Sequence, residues 1–153
     1  MRVLFKLTLL FFLFTNIADA NLIKPSTNLK PFEVLMIQLN SLKNNDNPYK
    51  DAGIEQTWEF AHPINKASTG PLERFKKMIY SDSYKILISH ENTKITVLKE
   101  SFDRFVFKVY VLSKDKKRYY YIWQMEKVKQ EGKFKDCWMT VGVSDPIYLG
   151  EII

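Results

Sequence analysis

The 153-residue sequence contains a single cysteine, Cys137, so an intrachain disulfide is impossible and multi-cysteine metal sites are excluded. Its two histidines, His62 and His90, belong to no HExxH or HxH pattern, and no metal site is predicted. Glycine is scarce, with five residues, which excludes glycine-rich repeats and multi-turn phosphate loops. A GxSxG nucleophile motif is also absent. The residue pattern therefore predicts no cofactor.

Long hydrophobic runs are missing as well. The run Leu7–Phe14 is well short of the roughly 20 apolar residues that span a membrane. It follows Arg2 and Lys6 and precedes the small-residue ending Ala18-Asp19-Ala20, which is the layout of a secretory signal peptide. We expect cleavage after Ala20, export to the periplasm or the exterior, and no stable membrane anchor afterwards. An uncleaved anchor is the alternative.

Apolar and aromatic residues are plentiful: 46% of the chain is hydrophobic and 14% is aromatic, enough for a packed core. The length predicts one folded domain, residues 31–153, preceded by an irregular leader at residues 21–30. Loss of Arg2, Lys6 and Asp19 with the signal peptide lowers the net charge from +6 to +5. This moderate charge and the expected export argue against nucleic-acid binding.

The first half of the domain has helical periodicity. Three helices are predicted, within residues 30–46, 51–62 and 70–80. In the first, Leu35, Leu39 and Leu42 form one apolar stripe. Between the second and third helices we expect a polar loop, because the proline of His62-Pro63 ends a helix.

The second half alternates as strands do. Five strands are predicted, within residues 84–90, 93–100, 104–112, 118–129 and 134–143. Their short connections suit antiparallel hairpins, so the fold class is α+β, with three N-terminal helices packed on a curved, mostly antiparallel sheet of about five strands. Aromatic residues on both faces of the last strands indicate either strong curvature or a partner on the outer face.

The order of elements resembles the NTF2-like (cystatin-like) fold, a cone made by a curved sheet wrapped on helices. The segments "IQLNSLKNND", "TWEFAHPINKASTGPLERFKKMI" and "CWMTVGV" further resemble an uncharacterised family of small proteins with a domain of unknown function. The likeness covers roughly residues 32 to 145. It implies a fold and no single activity, because the wider superfamily includes isomerases, dehydratases, hydrolases and binding domains.

Enzymes of that superfamily place an acid or a histidine inside the cone as general base, in a dry pocket. The candidates here are His90, at the end of the first predicted strand, and Asp136, on the last, with Glu100 and Asp103 at a turn. For each the alternative is a structural or solvated group. Cys137 is interpreted as an apolar core thiol.

Candidate ligand-binding residues fall in two places. His62, Asn65 and Lys66 lie in the predicted polar loop, which would sit near the cone mouth in this fold. Trp123 and Trp138 could line a cavity for a small apolar ligand, although sheet packing is the simpler interpretation.

Two functions remain open. One is a non-catalytic exported module that binds a small ligand or a protein, and the other is an NTF2-like enzyme acting on a small apolar substrate in the cone. The absence of a paired acid–base constellation favours the module. The outer aromatic face also predicts a possible homodimer through the sheet.

Overall fold

A computed structural model describes residues 21–152; the predicted signal peptide, residues 1–20, and Ile153 lie outside the described residues. Residues 21–30 carry neither helix nor strand. This leader is attached to the second helix, because Ile23 N–H donates to Gln56 Oε1 at 2.7 Å and Gln56 Nε2 donates to Ile23 O at 2.8 Å.

Within the described residues, four α-helices come first along the chain. They are α1 (Pro31–Lys43), α2 (Ala52–Glu59), α3 (Pro63–Thr69) and α4 (Leu72–Ile79). Helix α1 begins at Pro31, and Glu33 in its first turn accepts the Lys30 N–H at 2.8 Å. A proline at the first helical position and an acidic side chain that caps the N-terminus both stabilise the start of a helix. The predicted stripe is confirmed, since Leu35, Leu39 and Leu42 are fully buried.

Helix α3 corrects the prediction of a polar loop after His62. Helix α2 ends at Glu59, four residues before Pro63, and Pro63 starts a new helix, because proline suits a first helical turn and the His62 ring caps it. At the other end, the Thr69 hydroxyl donates to the Asn65 carbonyl at 2.8 Å. The described part of the chain therefore contains four α-helices rather than the three predicted.

One five-stranded sheet follows, and its neighbouring strands are antiparallel throughout the described residues. The strands are β1 (Asn92–Glu100), β2 (Arg104–Leu112), β3 (Lys117–Lys127), β4 (Trp138–Val143) and β5 (Ile147–Glu151). The order is β1-β2-β3-β4, and β5 pairs with the first half of β3 while β4 pairs with its second half. Strands β4 and β5 therefore lie one after the other along the same edge of β3.

The described residues form five strands, the number predicted, but one predicted strand is absent and one observed strand was not predicted. Residues 84–90, predicted as a strand, hold a short 3₁₀ helix, Lys85–Leu87. This segment turns against the end of α1, where Ser89 N–H donates to Leu42 O at 3.0 Å, and Leu87 enters the core. Strand β5, beyond Pro146, was not predicted.

The core lies between the helices and one face of the sheet, the inner face. Strand residues such as Phe107, Val109 and Trp123 pack there against helical residues such as Leu39 and Phe75. The α+β class and the antiparallel five-stranded sheet are therefore confirmed. A parallel bridge between Ala61 and Thr140 joins the α2–α3 junction to β4 and fixes the helices at this edge.

Candidate functional site

A cavity of about 240 Å³ lies between the helices and the inner face of β3 and β4. Its floor is buried and includes Gln38, Thr57, Ala61, Trp123 and Thr140. Its rim is partly exposed and comes from three places: α3 (Asn65, Ser68, Thr69), α4 and the following turn (Met78, Tyr84), and the end of β4 (Val141, Gly142, Val143). The remaining lining is apolar: Leu42, Phe75, Ile79 and Leu87. The cavity is therefore closed below and open between α3, α4 and β4.

A chain of neutral hydrogen bonds crosses the floor. Trp123 Nε1–H donates to Thr140 Oγ1 at 2.9 Å, and the Thr140 hydroxyl donates to Gln38 Oε1 at 2.7 Å. Gln38 Nε2 in turn donates to the Thr57 carbonyl at 3.2 Å. This chain joins α1, α2, β3 and β4, and it satisfies polar groups whose burial would otherwise cost free energy.

The rim is held by hydrogen bonds of the same neutral kind. Asn65 Nδ2 donates to the Thr140 carbonyl at 3.1 Å, and Asn65 Oδ1 accepts the Thr69 hydroxyl at 3.2 Å. The Tyr84 hydroxyl donates to the Val143 carbonyl at 3.0 Å, and burial raises the pKa of this phenol. These hydrogen bonds hold α3 and Tyr84 against β4 around the mouth of the cavity. They also give these polar groups partners within the protein.

The lining carries no carboxylate, imidazole, ammonium or thiol among the described residues. Tyr84 is its single titratable group there, and its raised pKa keeps it protonated at neutral pH. No group of three or more His, Cys, Asp or Glu that could hold a metal occurs within residues 21–152. The cavity can therefore offer apolar contact and neutral hydrogen bonds.

The structure brings together two of the five predicted ligand-binding residues, Asn65 at the rim and Trp123 at the floor. Trp138 is buried elsewhere in the core, edge-on to Phe105 at 5.3 Å between ring centroids. Because the cavity does not reach it, the structure assigns Trp138 the packing role.

His62 caps a helix and does not line the cavity. The ring Nδ1 of His62 accepts the Ile64 N–H at 3.2 Å, so the ring is the neutral Nε2–H tautomer. The backbone N–H of His62 donates to the Thr140 carbonyl at 2.8 Å. Burial lowers its pKa, and the nearby Glu126 carboxylate opposes this weakly. The ring is a structural device that starts α3.

Lys66 also lies outside the lining. Its ammonium is 5.3 Å from the ring centroid of Trp58 and 5.6 Å from that of Phe134, and it reaches the Glu59 carbonyl at 3.5 Å. Burial lowers its pKa. It therefore connects α3 to α2 and to the loop before β4.

The two weak catalytic candidates do not meet. His90 is 4% exposed and donates from Nδ1 to the Leu87 carbonyl at 2.8 Å, closing the 3₁₀ turn. Asp136 was predicted on the last strand; β4 begins only at Trp138, and Asp136 lies exposed in a left-handed turn with φ 62°. Neither lines the cavity.

The two acids predicted at a turn, Glu100 and Asp103, and the thiol of Cys137 have structural or solvated surroundings. Glu100 is exposed at the end of β1, and Asp103 pairs with Lys129 at 2.7 Å in the adjoining turn. Cys137 is buried, and burial raises its pKa, which disfavours the reactive thiolate.

Sequence reasoning missed the polar floor residues Gln38, Thr57 and Thr140. A signal for Gln38 was available, since it sits at i+4 from Val34 and at i−4 from Leu42, on a stripe that is otherwise apolar. A glutamine on a buried stripe needs an internal partner. The identity of that partner, on a strand 102 residues away, was not readable from spacing.

Comparisons with family models, curated proteins and solved structures gave no match to this chain. The NTF2-like resemblance therefore stays a prediction. Within residues 21–152, none of the helices combines the length and the hydropathy that crossing a bilayer requires.

We expect the stability of the protein to depend on pH because two histidines are buried. Burial lowers the pKa of both His62 and His90 below the ordinary value of 6.5, so the unfolded chain binds more protons than the folded one as the pH falls through 6.5. The free energy of unfolding should therefore be full above that pH and should decrease between about pH 7 and pH 5, a window that lies above most carboxyl pKa values. Urea unfolding at several pH values measures this.

A double variant, H62N/H90N, is the control for this prediction. An asparagine amide can replace either Nδ1 hydrogen bond without titrating. The variant should have a lower but flatter stability profile over the same window. An unchanged slope in the variant would contradict the assignment to these two rings.

Proposed function

We propose that this protein is a non-catalytic module that binds a small, neutral, largely apolar molecule in the cavity between its helices and its sheet. The single observation that carries the proposal is the lining: an enclosed floor with apolar walls, whose polar groups are neutral and already hydrogen-bonded to one another. A charged ligand entering this space would lose its hydration without gaining a counter-ion.

The size of the cavity restricts the ligand. An apolar protein cavity of about 150 Å³ holds benzene. By proportion, 240 Å³ accommodates on the order of ten non-hydrogen atoms. The ligand class is therefore a mono- or bicyclic molecule or a short branched chain, rather than a lipid or a nucleotide.

The placement of titratable groups supports binding over catalysis. A general base must come within hydrogen-bond reach of the substrate, and neither His90 nor Asp136 lines the space in which a substrate would sit. The cavity also agrees with what an NTF2-like cone would supply, a pocket between the helices and the curved sheet. Action after export remains part of the proposal and rests on the signal-peptide pattern of residues 1–20.

A titration with two matched probes tests this function. Indole is neutral and close to the size of the cavity, while indole-3-carboxylate presents a similar ring with a negative charge. We expect indole to raise the melting temperature in a concentration-dependent way, since a ligand that binds only the folded state stabilises it by mass action. The carboxylate should have no effect at the same concentrations. Equal stabilisation by both probes, or by neither, would contradict the proposal.

A further inference from the structure

The sheet has a second surface that the cavity does not use, and we name it the outer face. Side chains alternate along a strand, so the β2 residues between the buried ones point away from the helices. Val106, Lys108, Tyr110 and Leu112 are these residues, and all four are partly exposed. The pairing register places Lys94 of β1 and Tyr120 of β3 on either side of Tyr110. None of them belongs to either buried apolar cluster in the described part of the chain.

Positive charge is concentrated on this outer face. Lys94, Lys99 and Lys108 form no ion pair with any described residue, and Arg118 reaches only the Leu149 carbonyl, at 3.3 Å. The register puts all four on the same side, because Lys99 opposes Val106 and Arg118 opposes Leu112. The one carboxylate of β3 on this side, Glu126, is already bound by Arg104.

The tyrosines hold part of this charge in place. The Lys108 ammonium lies 3.9 Å from the ring centroid of Tyr120 and 5.1 Å from that of Tyr110. The two rings are 6.1 Å apart and tilted by 56°. The ammonium covers one face of each ring, which leaves less ring surface for stacking against a nucleic-acid base or a sugar. What the surface presents is fixed charge beside half-exposed apolar side chains.

We propose that the outer face docks on an anionic lipid bilayer. Unpaired lysine and arginine side chains are attracted to anionic headgroups, and tyrosines with aliphatic neighbours suit the interface between headgroups and acyl chains. Between the charged positions the face offers Leu112 and Ile122, both partly exposed, for that apolar contact. The neutral hydrogen-bonding side chains on the face are few, chiefly Thr96 and Gln124, which gives little means of recognising a polymer by its polar pattern.

The same charges weigh against a second copy as the occupant. Two outer faces brought together would oppose their unpaired cations, and like charges in contact are destabilising. The homodimer predicted through the sheet would therefore need another surface, and light scattering of the protein in solution provides that control.

Vesicle sedimentation tests the proposal. The chain with residues 21–153 is mixed with phosphatidylglycerol vesicles or with phosphatidylcholine vesicles at low and at physiological salt. We expect binding to phosphatidylglycerol alone, weakened by salt. Each cation near an anionic surface contributes about fivefold in partition, so the variant K94Q/K99Q/K108Q/R118Q should bind several hundred-fold more weakly.

A matched variant removes the same charge from the helical side. Lys30, Lys50, Arg74 and Lys77 are exposed on or beside α1, α2 and α4, and changing them to glutamine should reduce binding far less. Equal losses in the two variants would overturn the proposal, as would no binding to phosphatidylglycerol at low salt. Tighter binding to a single-stranded oligonucleotide or to a sulfated polysaccharide than to the vesicles, or a dimer lost in the outer-face variant, would also overturn it. Thermal melts confirm that both variants fold.

Discussion

Replacing Thr140 with valine should lower the free energy of unfolding by roughly 3 kcal/mol, because two buried polar groups lose their partner at once. Trp123 Nε1–H would have no acceptor and Gln38 Oε1 would lose its hydroxyl donor, while the shape of the side chain hardly changes. Trp123 and Gln38 are each no more than 1% exposed, so water does not compensate them in the folded state. Urea denaturation measures the change.

The variant T140S separates the hydroxyl from the packing. Serine keeps the hydroxyl that links Trp123 to Gln38 and loses one buried methyl group, which costs about 1 kcal/mol. The expected order of stability is therefore wild type, then T140S, then T140V. Should T140V prove as stable as T140S, the hydrogen-bonded floor would not be the link between α1 and the sheet that the geometry indicates.

Filling the cavity should abolish ligand binding without unfolding the protein. Ala61 lines the floor and is 1% exposed, so the variant A61L places three additional carbon atoms in the space that a ligand would occupy. We expect the affinity for indole to fall at least about tenfold, equivalent to about 1.4 kcal/mol. Circular dichroism establishes the fold, and L42F is a second variant that fills the same cavity.

Ala67 provides the matched control for this change. It lies on α3, is exposed, and does not line the cavity. The variant A67L adds the same atoms outside the site and should bind indole as the wild type does. Comparable losses in A61L and A67L would mean that indole binds elsewhere or that α3 responds to any added bulk.

Local pattern predicted much of this fold. The spacing of Leu35, Leu39 and Leu42 located α1, and the alternation of side chains located β2 and β3, in which Phe107, Val109 and Trp123 are buried. The failures came where a short signal has two physical meanings. Pro63, predicted to end a helix, starts α3, and the apolar segment around Leu87 turns into the core instead of pairing as a strand.

The candidate site was harder to predict because its members are distant in sequence. Asn65 was selected as a polar loop residue and Trp123 as a cavity aromatic, and both line the cavity, yet each was paired in the prediction with neighbours that do not. His62 was a candidate because of its residue type, but its side chain caps helix α3. The link between Gln38 and Thr140 arises only from tertiary packing of α1 on β4.

The most direct test of the central claim is a calorimetric titration of indole into the wild-type protein, with A61L and indole-3-carboxylate titrated under the same conditions. If the cavity is a binding site for small neutral apolar molecules, indole binds the wild type with a stoichiometry of about one and a negative heat-capacity change, since apolar surface is buried. A61L and the carboxylate then give only heats of dilution. Binding of indole that is unaffected by A61L, or binding of the carboxylate with equal affinity, would contradict the claim.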